Sequence, residues 1–400
     1  MTTTVRVALP GYDAGTDTNL DHFSLYADED NVLIKQKFGT VGTISAYTGT
    51  NTYTHDLGYI PFFAIYAPID DVSTEEYALV NNQYNPFEVP NIICAATGSN
   101  IVVSNFWGSK TISCDIFYDD MSQTGTPSFS ESSYVFKAVR PGKSITSTNP
   151  NDYIMHSDLN SLKIIKQGTS SITAGTANME YYIAHGGTTV KPHKHFVFIK
   201  YPDGKTAING MARVQSYDGS YSTTSFVNGT AIGVNAQYGF GTFSGSIAYF
   251  LYGQGTVGAT PSGPSLLVSK GTLNVGTSDN PDDYNFHSKY QTLKYYTSGS
   301  YVMTNKTSTS YGTIAHNLGY TPFFVAFVND INIYYGTGAY CMVPYYFANS
   351  IYPTLLNRDI GAFVYADGTN LYFKTWFDTN AVGTYNFTFY YKIFRNRLGI

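Results

Sequence analysis

Charge is scarce in this chain. Of its 400 residues only 13% are Asp, Glu, Lys or Arg, about half the share in an ordinary soluble domain. The 23 basic and 28 acidic residues leave a net charge of −5. Lysines and arginines are scattered with no stripe to neutralise phosphates, which argues against nucleic acid as the main partner. Cysteine is also scarce. Cys94, Cys114 and Cys341 cannot all pair with one another, and each stands in an apolar, strand-like stretch. They read as small buried thiols, against a disulfide framework or a metal site. No apolar run approaches the roughly 18 residues that span a bilayer. The opening, Met1 to Val7, carries no apolar leader core, so the expectation is folding in a cytoplasm with no cleaved signal. Missing too are G-x-S-x-G, H-E-x-x-H, C-x-x-C and a phosphate-binding glycine loop. Helix signals are poor. The best is Ser73 to Val80, where Ser73 and Glu76 form a capping-box pattern that predicts one short helix.

What the chain does contain points to sheets. Aromatic residues reach 16%, with 37 Tyr and 26 Phe, beside 37 Gly and abundant Thr, Ser and Asn. Tyr, Phe, Thr and Val suit a pleated, half-buried surface, and Gly, Asn and Pro suit its turns. Disordered chains lack such aromatics. The fold class expected is all-β.

The chain repeats itself. Residues 150–168 and 281–299 align at an offset of 131 without a gap, matching Pro150/Pro281, Asp152/Asp283, Tyr153/Tyr284, His156/His287, Ser157/Ser288, Leu162/Leu293, Lys163/Lys294 and Gly168/Gly299. A more divergent first copy offers Leu20 to Phe23 and Leu33 to Gly39. A second motif, HDLGYIPFF at 55–63 and HNLGYTPFF at 316–324, recurs at 261, close to twice 131. Ile183-Ala184-His185 is its remnant in the middle copy, matching Ile314-Ala315-His316. Both tryptophans, Trp107 and Trp376, fall in late strands of the first and third copies. Each copy closes on alternating apolar residues, such as Ile112, Cys114, Ile116 and Tyr118, the signature of a strand with one buried face. These patterns predict three tandem β-sandwich domains of one repeated topology, at 1–120, 134–253 and 266–400. Turn-rich linkers at 121–133 and 254–265 would join them.

The motifs read as architecture. In H-[DN]-L-G-Y-x-P-F-F, Leu57 and Leu318 can face the core, and Gly58 and Gly319 allow positive φ in a tight turn. Pro61 and Pro322 suit the first residue of a strand, and the histidine can bond across the turn. The Asn149-Pro150 and Asn280-Pro281 elements read as turns. Asp282 and Asp283 are adjacent, so in an extended chain they point apart and make a poor catalytic pair. His193 and His195 share a strand face with His185 nearby in sequence, but a tetrahedral metal site needs three or four such ligands in space. Asp17-Thr18-Asn19-Leu20-Asp21 starts like a calcium loop, yet His22 stands where Gly is needed and Asp28 where Glu is needed. No catalytic, cofactor-binding or metal residue is therefore assigned, and no cofactor is expected.

The opening Val5-Arg6-Val7-Ala8-Leu9-Pro10-Gly11-Tyr12, the later Leu-Lys strands and HNLGYTPFF resemble virion structural proteins of tailed bacteriophages. The resemblance touches all three copies through short motifs. It implies a non-enzymatic part of the particle, such as a tail, fibre-attachment or head-decoration protein, made in the host cytoplasm and held by other virion proteins in several symmetric copies. Arg395 and Arg397 could pair with acidic groups of a neighbour, and the altered Gly186–His195 loop could make a specialised contact. Two other readings stand beside it. One is a carbohydrate-binding adhesin contacting host glycan through tyrosines. The other is a glycan depolymerase, disfavoured because catalysis needs one unique constellation while the recurring features here are turns and core positions.

Overall fold

A computed structural model describes residues 5–17, 23–27, 34–45, 49–69, 77–80, 83–84, 92–105, 109–131, 136–140, 142–173, 179–185, 194–210, 214–215, 221–238, 244–252, 266–269, 284–288, 290–329, 339–347, 360–377 and 384–400. The chain is all-β. The only helical turn described is a 3-10 turn at Pro150–Asp152, where the Asn149 side chain accepts from the Asn151 N–H. No helix among the described residues is long and apolar enough to cross a membrane. Within the Ser73–Val80 stretch predicted as helix, Tyr77–Leu79 is instead a strand. Strand pairing with Ala67 and Val227 outweighs a weak local helix signal there. The residues of its capping box lie outside the described ones.

Each copy begins with a two-stranded ribbon. These are β1 (Val5–Ala8) with β2 (Phe23–Ala27), β11 (Lys137–Val139) with β12 (Tyr153–His156), and β22 (Leu267–Ser269) with β23 (Tyr284–His287). Eight strands follow among the described residues of every copy. The first has β3 (Lys35–Ile44), β4 (Gly49–Thr54), β5 (Pro61–Pro68), β6 (Tyr77–Leu79), β7 (Gln83–Tyr84), β8 (Ile92–Ala96), β9 (Asn100–Asn105) and β10 (Lys110–Asp120). After a short β13 (Asn160–Ser161), the second has β14 (Lys163–Thr173), β15 (Met179–Ala184), β16 (Lys194–Lys200), β17 (Thr206–Asn209), β18 (Val214–Gln215), β19 (Tyr221–Val227), β20 (Ala231–Tyr238) and β21 (Ser244–Tyr252). After β24 (Gln291–Thr292), the third has β25 (Tyr295–Lys306), β26 (Ser310–Ala315), β27 (Pro322–Asn329), β28 (Tyr340–Met342), β29 (Tyr345–Phe347), β30 (Ile360–Ala366), β31 (Asn370–Phe377) and β32 (Tyr385–Arg397).

The three copies share one strand order, and they also share sheets. One sheet runs β3-β10-β5-β6 and continues into β19-β20-β15 of the second copy. The next runs β14-β21-β16-β17 and continues into β30 of the third copy, which carries β31 and β26 beyond it. The last runs β25-β32-β27-β28 and continues into β8-β9-β4 of the first copy. Copy one thus feeds copy two, two feeds three, and three feeds one: a closed ring with pseudo-threefold order. The seams are short. They pair Tyr77 with Val227, Thr206 and Ala207 with Ala366 and Tyr365, and Tyr340 with Ala96.

This sharing explains a departure from the sequence pattern. The closing strands alternate as expected, with Ile112, Cys114 and Ile116 fully buried, but Ser113 and Asp115 on the other face are buried as well. In the second copy Ile247, Tyr249 and Leu251 enter one core while Ala248, Phe250 and Tyr252 enter another. The middle of β10 and the second half of β21 are covered on both sides, so there alternation marks which core a residue joins. The main core spans all three copies. At its centre the Phe323 ring lies 5.2 Å from Phe196, 5.0 Å from Phe198, 5.1 Å from Phe250 and 5.4 Å from Phe394, and Phe62 lies 6.1 Å from Phe196. The Phe323 pairs are edge-to-face and the Phe62–Phe196 pair is stacked, and both arrangements add to the burial term. A small third core joins the ribbons. Leu25, Met155 and Phe286 hold equivalent ribbon positions, as do Val7, Ala138 and Val268, and all six meet in one cluster.

The described part of the first linker is not a loose tether. Phe129 packs edge-on against Tyr153 and His156 of the ribbon, and its N–H donates to the Thr148 carbonyl. The 254–265 linker lies outside the described residues.

Candidate functional site

The H-[DN]-L-G-Y-x-P element is the corner at which the chain leaves one sheet for the next, from β4 to β5 and from β26 to β27. Asp56 (φ 51°) and Asn317 (φ 57°) are left-handed, as are Gly58 (φ 76°) and Gly319 (φ 75°). That explains the Asp/Asn alternation in the motif, because these short polar residues tolerate this conformation better than most. The buried His55 ring donates from Nε2 to the Thr97 carbonyl (3.1 Å) and accepts the Leu57 N–H at Nδ1 (3.2 Å). His316 does the same with the Asp367 carbonyl (3.1 Å) and the Leu318 N–H (3.2 Å). His185 places Nε2 3.0 Å from the Asn228 carbonyl. Each histidine staples its corner to the tight turn between the sixth and seventh strands of its own copy, β8–β9, β19–β20 or β30–β31. Burial lowers the pKa of all three, against the raising pull of the carbonyls they face. The motif tyrosine fastens the other side: Tyr59 Oη donates to the Tyr118 carbonyl and Tyr320 Oη to the Arg395 carbonyl, both at 2.7 Å. Pro61 and Pro322 open β5 and β27 as the sequence indicates.

Among the described residues the sequence candidates for metal chemistry are not brought together. His185 is occupied at its corner, and His195 is fully buried in β16 with its ring 5.1 Å from that of Tyr66. His193, Asn19, Asp21, Asp282 and Asp283 lie outside the described residues. Among the described residues no group of three or more His, Cys, Asp or Glu is placed to hold a metal ion. Asp13 closes its own turn, accepting the Gly15 N–H at 2.7 Å. Arg395 and Arg397, expected to reach a neighbour's acids, lie over the rings of Tyr296 and Tyr320, at 5.4 and 4.4 Å. The three cysteines are buried and form no disulfide, and burial pushes the Cys94 and Cys114 thiols up.

One polar constellation breaks the repeat, and the sequence pattern had not singled it out. In all three copies a glycine on the first long strand faces the closing strand: Gly39 opposite Asp115, Gly168 opposite Tyr249 and Gly299 opposite Tyr391. Tyrosine hydroxyls fill the space above Gly168 and Gly299. In the first copy a fully buried carboxylate takes that place. Asp115 Oδ1 accepts from Gln36 Nε2 at 2.7 Å and from Lys194 Nζ, of the second copy, at 2.6 Å. Nearby, Tyr66 donates to the His195 carbonyl at 2.8 Å, and its Oη stands 2.6 Å from that of Tyr252. Burial raises both phenols far above their ordinary value. This cluster is occupied by its own hydrogen bonds and lies between two sheets, so its evident work is to fasten copy one to copy two. The 131-residue period gave no signal for it, since at that offset Asp115 aligns with Ser246, and only the strand register opposite the glycines shows an acid where the other copies have Tyr249 and Tyr391.

No family model, no curated protein and no solved structure matches the chain.

Proposed function

We propose that this chain is an architectural component of a tailed-phage particle that works through protein contacts, as a trimer written into one polypeptide. The observation that carries this reading is the closed ring of copies, in which the long strands of each sheet pass from one copy to the next. A ring of three like units offers three like faces, so one chain can occupy a position with threefold surroundings where a homotrimer would otherwise be needed. The recurrent polar residues support it, because the motif histidines and tyrosines hold corners and turns. Phe136 and Leu266 occupy equivalent ribbon positions and are 54% and 49% exposed, which offers apolar anchors at the ribbon end. The test is mass spectrometry and reconstruction of purified particles. This chain should be present, centred on a threefold or pseudo-threefold site. A free cytoplasmic protein absent from particles would end the proposal.

A carbohydrate-binding adhesin is the second reading. It is favoured by Tyr12, Tyr182 and Tyr311, which are 46%, 53% and 55% exposed and offer flat faces of the kind sugars stack on. Binding on a glycan array, lost on replacing Tyr182 and Tyr311 with Ser, would select it over a purely architectural role.

A further inference from the structure

The three copies bury nearly interchangeable apolar surfaces, which raises the question of what keeps them in order. Wherever phenylalanine meets phenylalanine, a core cannot tell copy two from copy three, or from copy two of another molecule. Charge can. Among the described residues three ion pairs join different copies, one for each neighbouring pair. Asp115–Lys194 (2.6 Å) ties copy one to two, Lys205–Asp367 (2.9 Å) ties two to three, and Asp119–Lys392 (2.8 Å) ties three to one. Asp115 and Lys392 are almost wholly buried, while Lys205 and Asp367 are partly exposed.

The pairs are not copies of one another. Asp115 corresponds to Tyr249 and Tyr391, Lys392 to Ile116 and Phe250, and Asp367 to Thr97 and Asn228. The Lys205–Asp367 pair directly extends the short ladder in which Thr206 meets Ala366. We propose that these pairs are a key that enforces the cyclic order of the copies and closes the ring within one chain, so that sheets are not exchanged with a second copy of the protein. A wrongly joined seam would leave a lysine or a carboxylate facing an apolar or uncharged position, and a buried charge without its partner is strongly disfavoured. The seam ladders themselves comprise one or two residue pairs, too few to discriminate by register.

The experiment uses the full chain refolded from denaturant at high concentration, read by size-exclusion chromatography with light scattering. The wild type should return as monomer. A variant with all three pairs made apolar (D115L/K194M, K205M/D367L and D119L/K392M) should return with a substantial fraction as sheet-exchanged dimers and larger species. Return as monomer alone would overturn the proposal. Should that variant fail to fold, a trans test decides. Chains carrying D115K and chains carrying K194D are refolded separately and together under distinguishable labels. Each alone sets like charges face to face at the first seam. Together they should yield a mixed-label dimer in at least several-fold excess over same-label dimers. An equal, random distribution of labels, or no dimer at all, would overturn the proposal.

Discussion

At the residue scale, glycine and histidine carry the testable chemistry. Gly319 lies at φ 75° with nothing within 4 Å of where a Cβ would stand, so a larger residue there meets backbone strain and no clash. Gly319→Val should cost on the order of 1–3 kcal/mol, read as a lower melting temperature. Gly299 differs, because a Cβ there would collide with the Tyr391 ring. Gly299→Ala should cost about 1–3 kcal/mol, and truncating Tyr391 should relieve part of that loss, a non-additivity that a double-mutant cycle would read.

The stapling histidines predict acid sensitivity. Their folded pKa values are lowered by burial, so the unfolded chain binds more protons just below pH 6.5 and stability falls as pH drops from 6.5 through the folded values. Protonating Nδ1 of His55 or His316 also removes the acceptor of a backbone N–H. Denaturation midpoints measured from pH 7.5 to 4.5 should fall, and a His316→Gln variant should lose part of the slope. Lys35 acts at higher pH. Its ammonium is fully buried without a hydrogen-bond partner, with Asp119, Arg140 and Asp152 around it, and burial lowers its pKa from 10.5 to about 7. The unfolded chain therefore binds the extra proton between about pH 7 and 10.5, and stability should rise with pH across that window. Lys35→Met should flatten this dependence and raise the melting temperature at pH 7. No gain at pH 7 would show that the ammonium is better accommodated than its surroundings indicate.

At the scale of elements, the ribbons are the sharpest addition to the sequence reading. Each ribbon has one inward position filled by Leu25, Met155 or Phe286, backed by Val7, Ala138 or Val268, and a two-stranded ribbon alone is marginal in water. Meeting as three, they make a core that none has by itself. Phe286→Ala should therefore loosen all three ribbons, at a cost of about 3–5 kcal/mol if the site does not collapse. Hydrogen exchange should show faster exchange in Val7, Ala138 and their strand neighbours as well as in the mutated ribbon. Protection lost in β22 and β23 alone would mean that the ribbons are independent.

At the scale of the whole molecule, shared sheets make the copies interdependent. A copy removed from the ring would expose half of two sheets and one face of the common phenylalanine cluster. Thermal unfolding should be a single transition, with calorimetric and van't Hoff enthalpies in agreement. Three resolved transitions would mean that the copies fold as separate domains.

The sequence by itself determined a good deal. Aromatic and β-branched content fixed the class, the 131-residue period fixed the number of copies, and HNLGYTPFF contained its own geometry in Gly319, Pro322 and Phe323. Those features are local or periodic, so they can be read without knowing what lies across the core. The tertiary structure alone decided which copy completes which sheet, since Tyr77 meeting Val227 or Tyr340 meeting Ala96 leaves no trace in spacing. It also decided that β10 and the second half of β21 are buried on both faces, which alternation cannot report when each side has its own core. And it decided the meaning of Asp115, Lys194 and Lys392. In the linear chain these are isolated charges on apolar strands. Only the ring brings each to its partner on another copy, because ion pairing depends on a few ångströms of separation in space and on nothing in the order of residues.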